Sequence, residues 1–341
     1  MTASSLIQFD ATRHGQVPSI EPVRDGIWAL GSHMPGHPAY SLAYVICDAD
    51  DGIHLIDPGW DSERNWTRLL KVLGEIGSHP SAVRSVTSTH LHPDHIGMAQ
   101  RLREHTGAQL QVHRLERDDV ESAGYGRRES VALETRIQSW KVPSEPQREL
   151  SRLLKDVPPQ PRTVVDRTLE DGERLDVSGR DLIVMLTPGH TRGSICIRDD
   201  ANQVLFSGDT ILPAVHPALG LGLKDRVDHN PLTAYLSSLE RLSAYPEYEV
   251  LPGHGFRFEG LVDRSRQHAG RHLSRAREVE QSLLRRPSDS VWELASRVTW
   301  SAGWANLSGV FLYSALAQTA LYKDFLESGG ASTAEEKADE R

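Results

Sequence analysis

With 341 residues, 38% of them hydrophobic and 25% charged, the chain is long enough for one large catalytic domain with an appendage and has an ordinary globular composition. Its formal net charge of -9 removes any general electrostatic reason to bind phosphate backbones, and no run approaches the roughly 18 to 20 apolar residues of a membrane span. Two cysteines, Cys47 and Cys196, exclude a disulfide framework, which leaves sixteen histidines as the compositional anomaly.

Met1 to Gln16 contains no apolar stretch of signal-peptide length, so a cytoplasmic location is expected. From Asp25 to Pro58 strand-like runs alternate with turn residues, predicting an antiparallel meander that leaves Asp57 at the mouth of a strand. Ser62 to Ile76 has apolar residues at Trp66, Leu69, Leu70, Leu73 and Ile76, a helical spacing. Val83 to Ser88 reads as a buried strand that runs into Thr89-His90-Leu91-His92-Pro93-Asp94-His95-Ile96-Gly97, and His95 to His105 reads as a helix. Gln109 to His113 is a further strand. From Arg114 to about Pro161 the chain is charged, helix-prone and broken by prolines, which predicts a helical insertion between two β-rich halves.

Strands are expected again at Arg174 to Val177 and at Leu182 to Leu186, the latter leading to Thr187-Pro188-Gly189-His190. Val204 to Ser207 leads to Gly208-Asp209-Thr210, and, after a helix from about Pro231 to Ala244, Glu249 to Leu251 leads to Pro252-Gly253-His254-Gly255. Three times, then, an apolar strand ends in glycine plus a ligand-type residue. Beyond Val262 the pattern is helical: Asp263 to Arg285, a second helix at the capping pattern Ser290-Val291-Trp292-Glu293, and a third from about Ser308 to Leu326. The small, charged tail after Gly330 reads as disordered. The expected domains are residues 1-262, with the insertion at about 114-161, then a helical domain at 263-330 and a tail at 331-341.

In an extended chain His90 and His92 point the same way, while Asp94 and His95, past the proline, can aim at a second point nearby. That suits a pair of divalent ions about 3.5 to 4 Å apart, each with nitrogen and oxygen ligands and room for water. One loop cannot complete two coordination spheres, so the strand ends must supply His190, Asp209 and His254.

The ordered motifs Thr-His-Leu-His-Pro-Asp-His, Thr-Pro-Gly-His-Thr, Ser-Gly-Asp-Thr and Leu-Pro-Gly-His-Gly resemble those of the metallo-β-lactamase-fold hydrolases over about residues 20 to 260. The resemblance implies an α+β fold: a four-layer αββα sandwich with the metals at one edge, here with a helical insertion and an all-α C-terminal appendage. It further implies that His90, His92 and His190 hold one ion, that Asp94, His95 and His254 hold the other, and that Asp209 bridges them. Asp57 resembles the carboxylate that orients a ligand imidazole, and Asp94 is a candidate proton shuttle. The motif pattern is closest to the glyoxalase II, lactonase and β-lactamase-like protein 2 group, although Gly97-Met98 stands where glyoxalase II has two glycines.

The expected activity is hydrolysis of a small ester, thioester or lactone by a hydroxide bridging two zinc ions, with iron or manganese as other candidate metals. Two alternatives remain open: an endoribonuclease, suggested by seven arginines between Arg264 and Arg286, and a mononuclear iron oxygenase on the same fold. His216, His229 and Arg192 are candidate substrate contacts on loops after the second-half motifs. A small-molecule substrate is the expected partner, with a homodimer allowed and neither a membrane nor, for the favoured activity, a nucleic acid.

Overall fold

The structure, a computed structural model, describes residues 1–36, 38–122, 134–155, 163–221 and 230–329. Two mixed sheets form its centre. The first runs in the order β2 (Glu21–Arg24), β3 (Ile27–His33), β4 (Tyr40–Cys47), β5 (Ile53–Ile56), β6 (Val83–Thr87), β7 (Gln109–His113) and β8 (Arg167–Leu169). The second runs β1 (Thr2–Ala3), β13 (Phe258–Glu259), β12 (Glu249–Pro252), β11 (Val204–Gly208), β10 (Ile195–Asp199) and β9 (Leu182–Leu186). β3 to β5 pair antiparallel, as the meander predicts, and β2, not expected from the sequence, joins them antiparallel to β3, whereas β5 to β8 are parallel, as are β11 and β12.

The sheets face each other across one apolar layer in which Ile27, Leu42, Tyr44 and Ile46 meet Val184, Ile197, Val204 and Phe206. The Tyr44 and Phe206 rings cross edge to face at 5.1 Å. Each of these large side chains stabilises the fold by roughly 1.5 to 3 kcal/mol relative to an exposed one. The outer face of the first sheet is covered by α2 (Glu63–Glu75) and α4 (Ala99–Thr106), through Leu69, Val72, Leu73 and Leu102. Ser62 caps α2 by accepting from Asn65 N. The outer face of the second sheet is covered by the helices Pro231–Leu242, Leu261–Arg285 and Gly309–Glu327. The result is the expected α+β, four-layer αββα sandwich.

Several elements differ from the sequence reading. The helix expected over His95 to His105 is two helices, α3 (Pro93–Ile96) and α4, broken where Gly97 lies against the backbone of Gly59 and Asp61 and Met98 N donates to Gly59 O at 2.9 Å. Arg174 to Val177 makes only an isolated bridge between Arg174 and Ile183, because Val177 N turns back to Leu175 O. The N-terminus, unassigned from sequence, supplies β1 and α1 (Leu6–His14), the latter capped by Ser5.

The insertion is helical at Arg114–Val120, at 134–139 and at Ser144–Lys155. Its Ile137, Trp140, Val142 and Leu150 share an apolar cluster with Val291, Ala295, Leu312 and Leu316 of the C-terminal helices. Those helices also bury Ala276, Val279, Leu294 and Tyr322 against the second sheet, so the C-terminal segment is packed into the sandwich rather than appended beside it. The capping box at Ser290 is formed as the sequence predicts. Phe311, on the apolar stripe of the last helix, is exposed. No helix among the described residues is long and apolar enough to cross a membrane. His229, the tail at 331–341 and parts of the insertion lie outside the described residues.

Candidate metal centre

Four strands deliver the expected ligands to one edge of the sandwich, and a fifth brings Asp57 beside them. β6 ends at Thr87 and leads to His90; β11 ends at Gly208 and leads to Asp209; β12 ends at Pro252 and leads to His254; β9 ends at Leu186 and leads to His190; β5 ends at Ile56 and leads to Asp57. Because β5 and β6, and β11 and β12, are parallel, their carboxyl ends lie side by side. The glycine before each of two ligands has a steric reason. A Cβ on Gly253 would stand 2.5 Å from His95 Cε1 and 2.6 Å from Asp209 Oδ1, and one on Gly208 would collide with Thr89.

The seven side chains converge as three overlapping groups: His90, His92 and His190; His90, His95 and Asp209; Asp94, His95 and His254. In the first, His92 Nδ1 lies 2.9 Å from His90 Nε2 and 3.0 Å from His190 Nε2. In the last, His254 Nε2 lies 3.3 Å from His95 Nε2 and 3.1 Å from Asp94 Oδ2. Asp209 lies between them, with Oδ1 3.4 Å from His95 Nε2 and Oδ2 3.5 Å from His190 Nε2. Nitrogens 2.0 to 2.1 Å from a tetrahedral ion stand about 3.3 Å apart, a spacing matched by the 3.3 to 3.5 Å separations, while the 2.9 to 3.1 Å pairs are at hydrogen-bond distance.

The outward nitrogens are committed elsewhere. His190 Nδ1 donates to Ala218 O at 2.7 Å, His254 Nδ1 to Tyr40 O at 2.9 Å and His95 Nδ1 to Asp57 Oδ2 at 2.9 Å. Each bond puts the proton on Nδ1 and, in the neutral ring, leaves Nε2 with its lone pair facing inward. His90 Nδ1 lies 3.0 Å from Thr89 Oγ1. Asp57 also accepts from Thr89 N and Thr89 Oγ1, both at 2.7 Å, at a backbone φ of +52° that aspartate tolerates better than most residues. It therefore holds both the loop that carries His90 and the ring of His95.

Charge follows the same division. Burial, reinforced by neighbouring imidazoles, pushes His90 well below the usual histidine range and His92 down to about 3, and burial also lowers His190. These three rings are neutral at pH 7, the form that ligates a metal. Burial acts against charge on Asp94 and Asp209 as well, yet the surrounding imidazoles hold both carboxyls below their ordinary range, and the carboxylates hold His95 and His254 up. Asp209 Oδ1 is buried and has no well-formed hydrogen bond. A buried acceptor of that kind is costly without a cation, and this donor set of imidazoles and carboxylates fits divalent transition metals.

The remaining sequence candidates fall elsewhere. Arg192 turns toward the insertion, its guanidinium 3.7 Å from Asp119 Oδ2. His216 is half-buried against the helix Leu261–Arg285, its Nδ1 2.9 Å from His268 Nδ1. His54, buried on β5, lies between Ser85 Oγ and Asp48 Oδ2. One residue that sequence reasoning did not single out braces the site. Glu116, at the start of the insertion and fully buried, accepts from Thr191 Oγ1 at 2.9 Å and from Gly193 N at 2.6 Å, fixing the loop behind His190. Nothing at Glu116 itself marks it, because its partners are 75 and 77 positions away.

The profile of the metallo-beta-lactamase superfamily matches residues 37–254. An acyl-coenzyme A thioesterase, MBLAC2, of Gallus gallus is 29% identical over 182 residues, 52% of this chain and 58% of that protein, so the chain spans little more than half of that relative's length. A beta-lactamase-like protein 2 homolog of Caenorhabditis elegans is 23% identical over 339 residues, 95% of this chain and 97% of that one. A solved metallo-beta-lactamase family protein from Thermus thermophilus shares the fold, with a TM-score of 0.73 at 24% identity over 91% of this chain and 96% of that one. With the motifs in order and the ligand side chains gathered at one sheet edge, the chain belongs to the metallo-beta-lactamase superfamily.

Proposed function

We propose that the protein is a dinuclear, zinc-dependent thioesterase acting on acyl thioesters of the coenzyme A type. The observation that carries this reading is the convergence of seven candidate ligands in three overlapping groups, more donors than one ion takes. His90, His92 and His190 would hold one ion, Asp94, His95 and His254 the other, and Asp209 both. When bound, such a pair supplies a water of lowered pKa and an electrophile for the substrate carbonyl. The chain's own groups do the rest. Asp57 keeps a proton on His95 Nδ1. Asp94, whose side chain is the more exposed of the two central carboxylates at 16% against 10%, is placed to accept the proton that the attacking water gives up and to pass it to the departing sulfur.

Two further points support it. A covalent cysteine route has no suitable thiol: Cys196 is fully buried, and burial pushes its thiol up to about 11, while Cys47, at the other end of β4 from Tyr40, is also raised by burial, leaving little thiolate at neutral pH. The relative named as an acyl-coenzyme A thioesterase favours a thioester over a lactone or simple ester. A complete second donor set, Asp94, His95 and His254, supports two ions over the single iron of an oxygenase.

The test is a panel of an acyl-coenzyme A, a carboxylate ester, a lactone and an unstructured RNA, offered to protein reconstituted with zinc, iron or manganese. Thioester cleavage should be fastest with zinc and should fall by more than about a hundredfold in His92→Ala and in Asp209→Ala. Preferential cleavage of the lactone or RNA, or oxygen consumption with iron, overturns the reading.

A further inference from the structure

Of the arginines of the helix Leu261–Arg285, Arg266, Arg277 and Arg285 are exposed, but Arg264, Arg271 and Arg275 are drawn into the structure. Arg264 is buried and donates to Leu212 O at 2.7 Å and to Val215 O at 2.8 Å. Arg271 and Arg275 are half-buried on the same helix: Arg271 reaches Thr299 O at 3.2 Å, and Arg275 stacks over Trp300 with its Cζ 4.6 Å from the ring centre. Arg275 Nε is buried with no acceptor, while the same guanidinium reaches the Tyr322 hydroxyl. His216, on the loop that follows Asp209, packs on this helix with its Nδ1 2.9 Å from His268 Nδ1, and Arg271 and Arg275 follow His268 by three and seven positions, on the same helix face. After burial, the charges of Arg264, Arg275 and Arg271 are what depress the His216 imidazolium, to about 4.

One carboxylate, Glu278, acts on Arg271, and it already accepts from Thr299 N. Guanidinium groups crowded together and partly withdrawn from water, with so little negative charge beside them, are costly to hold. They sit in a chain whose net charge is -9. Arginine forks are the side chains best matched to phosphate.

The loop ties this cluster to the metal centre. It leaves Asp209, is pinned at Leu212 by Arg264 and His268, and returns to the ligands where Ala218 O accepts from His190 Nδ1 and Leu221 N donates to His190 O. His216 stands two residues before Ala218, a distance of at most about 7 Å along an extended chain.

We propose that His216, Arg271 and Arg275 form a subsite for the phosphate groups of a phosphorylated acyl carrier, next to the metal centre. The proposal rests on the thioesterase reading for the identity of the acyl group, but phosphate binding can be measured without turnover. The probe is adenosine 3′,5′-bisphosphate, the phosphate-bearing end of coenzyme A without its thioester, titrated calorimetrically into the metal-loaded protein. Pantetheine 4′-phosphate in a second titration distinguishes the nucleotide end of coenzyme A from a carrier-protein arm.

Saturable binding should weaken with salt and should fall at least tenfold in Arg271→Met and Arg275→Met, which keep most of the apolar stem. It should be partly restored in Arg275→Lys and be unaffected in Arg285→Met, on an exposed part of the same helix. In the same variants, the ratio of kcat/KM for an acyl-coenzyme A over that for the thioester of N-acetylcysteamine should drop at least tenfold, chiefly through KM. Variants that fold and bind metal normally yet bind the bisphosphate like wild type overturn the subsite, as does an unchanged substrate ratio. Arginine-dependent bisphosphate binding without any acyl-coenzyme A hydrolysis would retire the thioesterase reading and leave the subsite standing.

Discussion

Asp57 allows the outer scaffold of the metal centre to be separated from its ligands. It is 2% exposed, and its carboxylate accepts from Thr89 N, Thr89 Oγ1 and His95 Nδ1. Asp57→Ala strands these buried donors at about 1 to 3 kcal/mol each and places alanine at a φ of +52°, which adds about 1 kcal/mol. After partial relaxation the expected loss is on the order of 4 kcal/mol. Asp57→Asn tolerates the backbone and keeps one acceptor oxygen for Thr89 N, so it should lose roughly 1 to 2 kcal/mol. Its amide, however, cannot accept from His95 Nδ1 while that oxygen serves Thr89. The His95 ring must then turn or move its proton to Nε2, where a metal needs the lone pair. Metal affinity at the Asp94, His95 and His254 group should therefore fall about 10- to 100-fold. Urea unfolding of the metal-free proteins reports the first effect, and competition with a chromophoric chelator reports the second. If Asp57→Asn binds both ions as tightly as wild type, Asp57 does not set the His95 tautomer and the reasoning fails.

Burial raises the Glu116 carboxyl to about 7, so the folded protein holds that proton more tightly than the unfolded chain does. Its stabilisation is complete below about pH 4.5 and is lost as pH rises through about 7, a change of about 3 kcal/mol; Glu116→Gln should flatten that part of the stability profile in urea melts, and an unchanged profile refutes the assignment. Gly97→Ala would press a Cβ against Asp61 N at 2.8 Å and Gly59 O at 2.9 Å. Because those atoms are backbone and cannot swing away, it should destabilise by about 1 to 3 kcal/mol and weaken metal binding by the neighbouring His92 to His95 turn, whereas wild-type melting and metal content would show that the approach has slack. Leu316→Ala, in the cluster shared by the insertion and the C-terminal helices, should cost about 2 to 5 kcal/mol and speed amide exchange across 134–155; exchange confined to the C-terminal helix would show that the two segments are not coupled.

What the sequence disclosed was local. His90, His92, Asp94 and His95 lie within six positions, and glycine marked the strand ends that bring His190, Asp209 and His254 beside them. The sandwich was legible because its longer strands are apolar runs and its helices carry clear stripes and caps, as at Ser62 and Ser290. β1 and β8, of two and three residues, are too short for periodicity to register and exist only because a neighbouring edge pairs with them. Glu116 was invisible as a site for another reason: its meaning lies in contacts made 75 and 77 positions away, and alone it reads as an ordinary helix charge. His216 and the arginines of the helix Leu261–Arg285 stood out singly, as a loop histidine and a basic run, but their meeting on one helix face was not legible. The packing of the insertion onto the C-terminal helices through Trp140 and Leu316 was hidden in the same way, since an apolar stripe shows that a face is covered but not by what.

The central claim is that seven side chains hold two ions, and elemental analysis of the purified protein measures it most directly. Wild type reconstituted with zinc should carry two ions per chain after desalting. His92→Ala should keep the ion of the Asp94, His95 and His254 group, and Asp209→Ala should weaken both. One ion per chain at saturation, or none, would contradict the account.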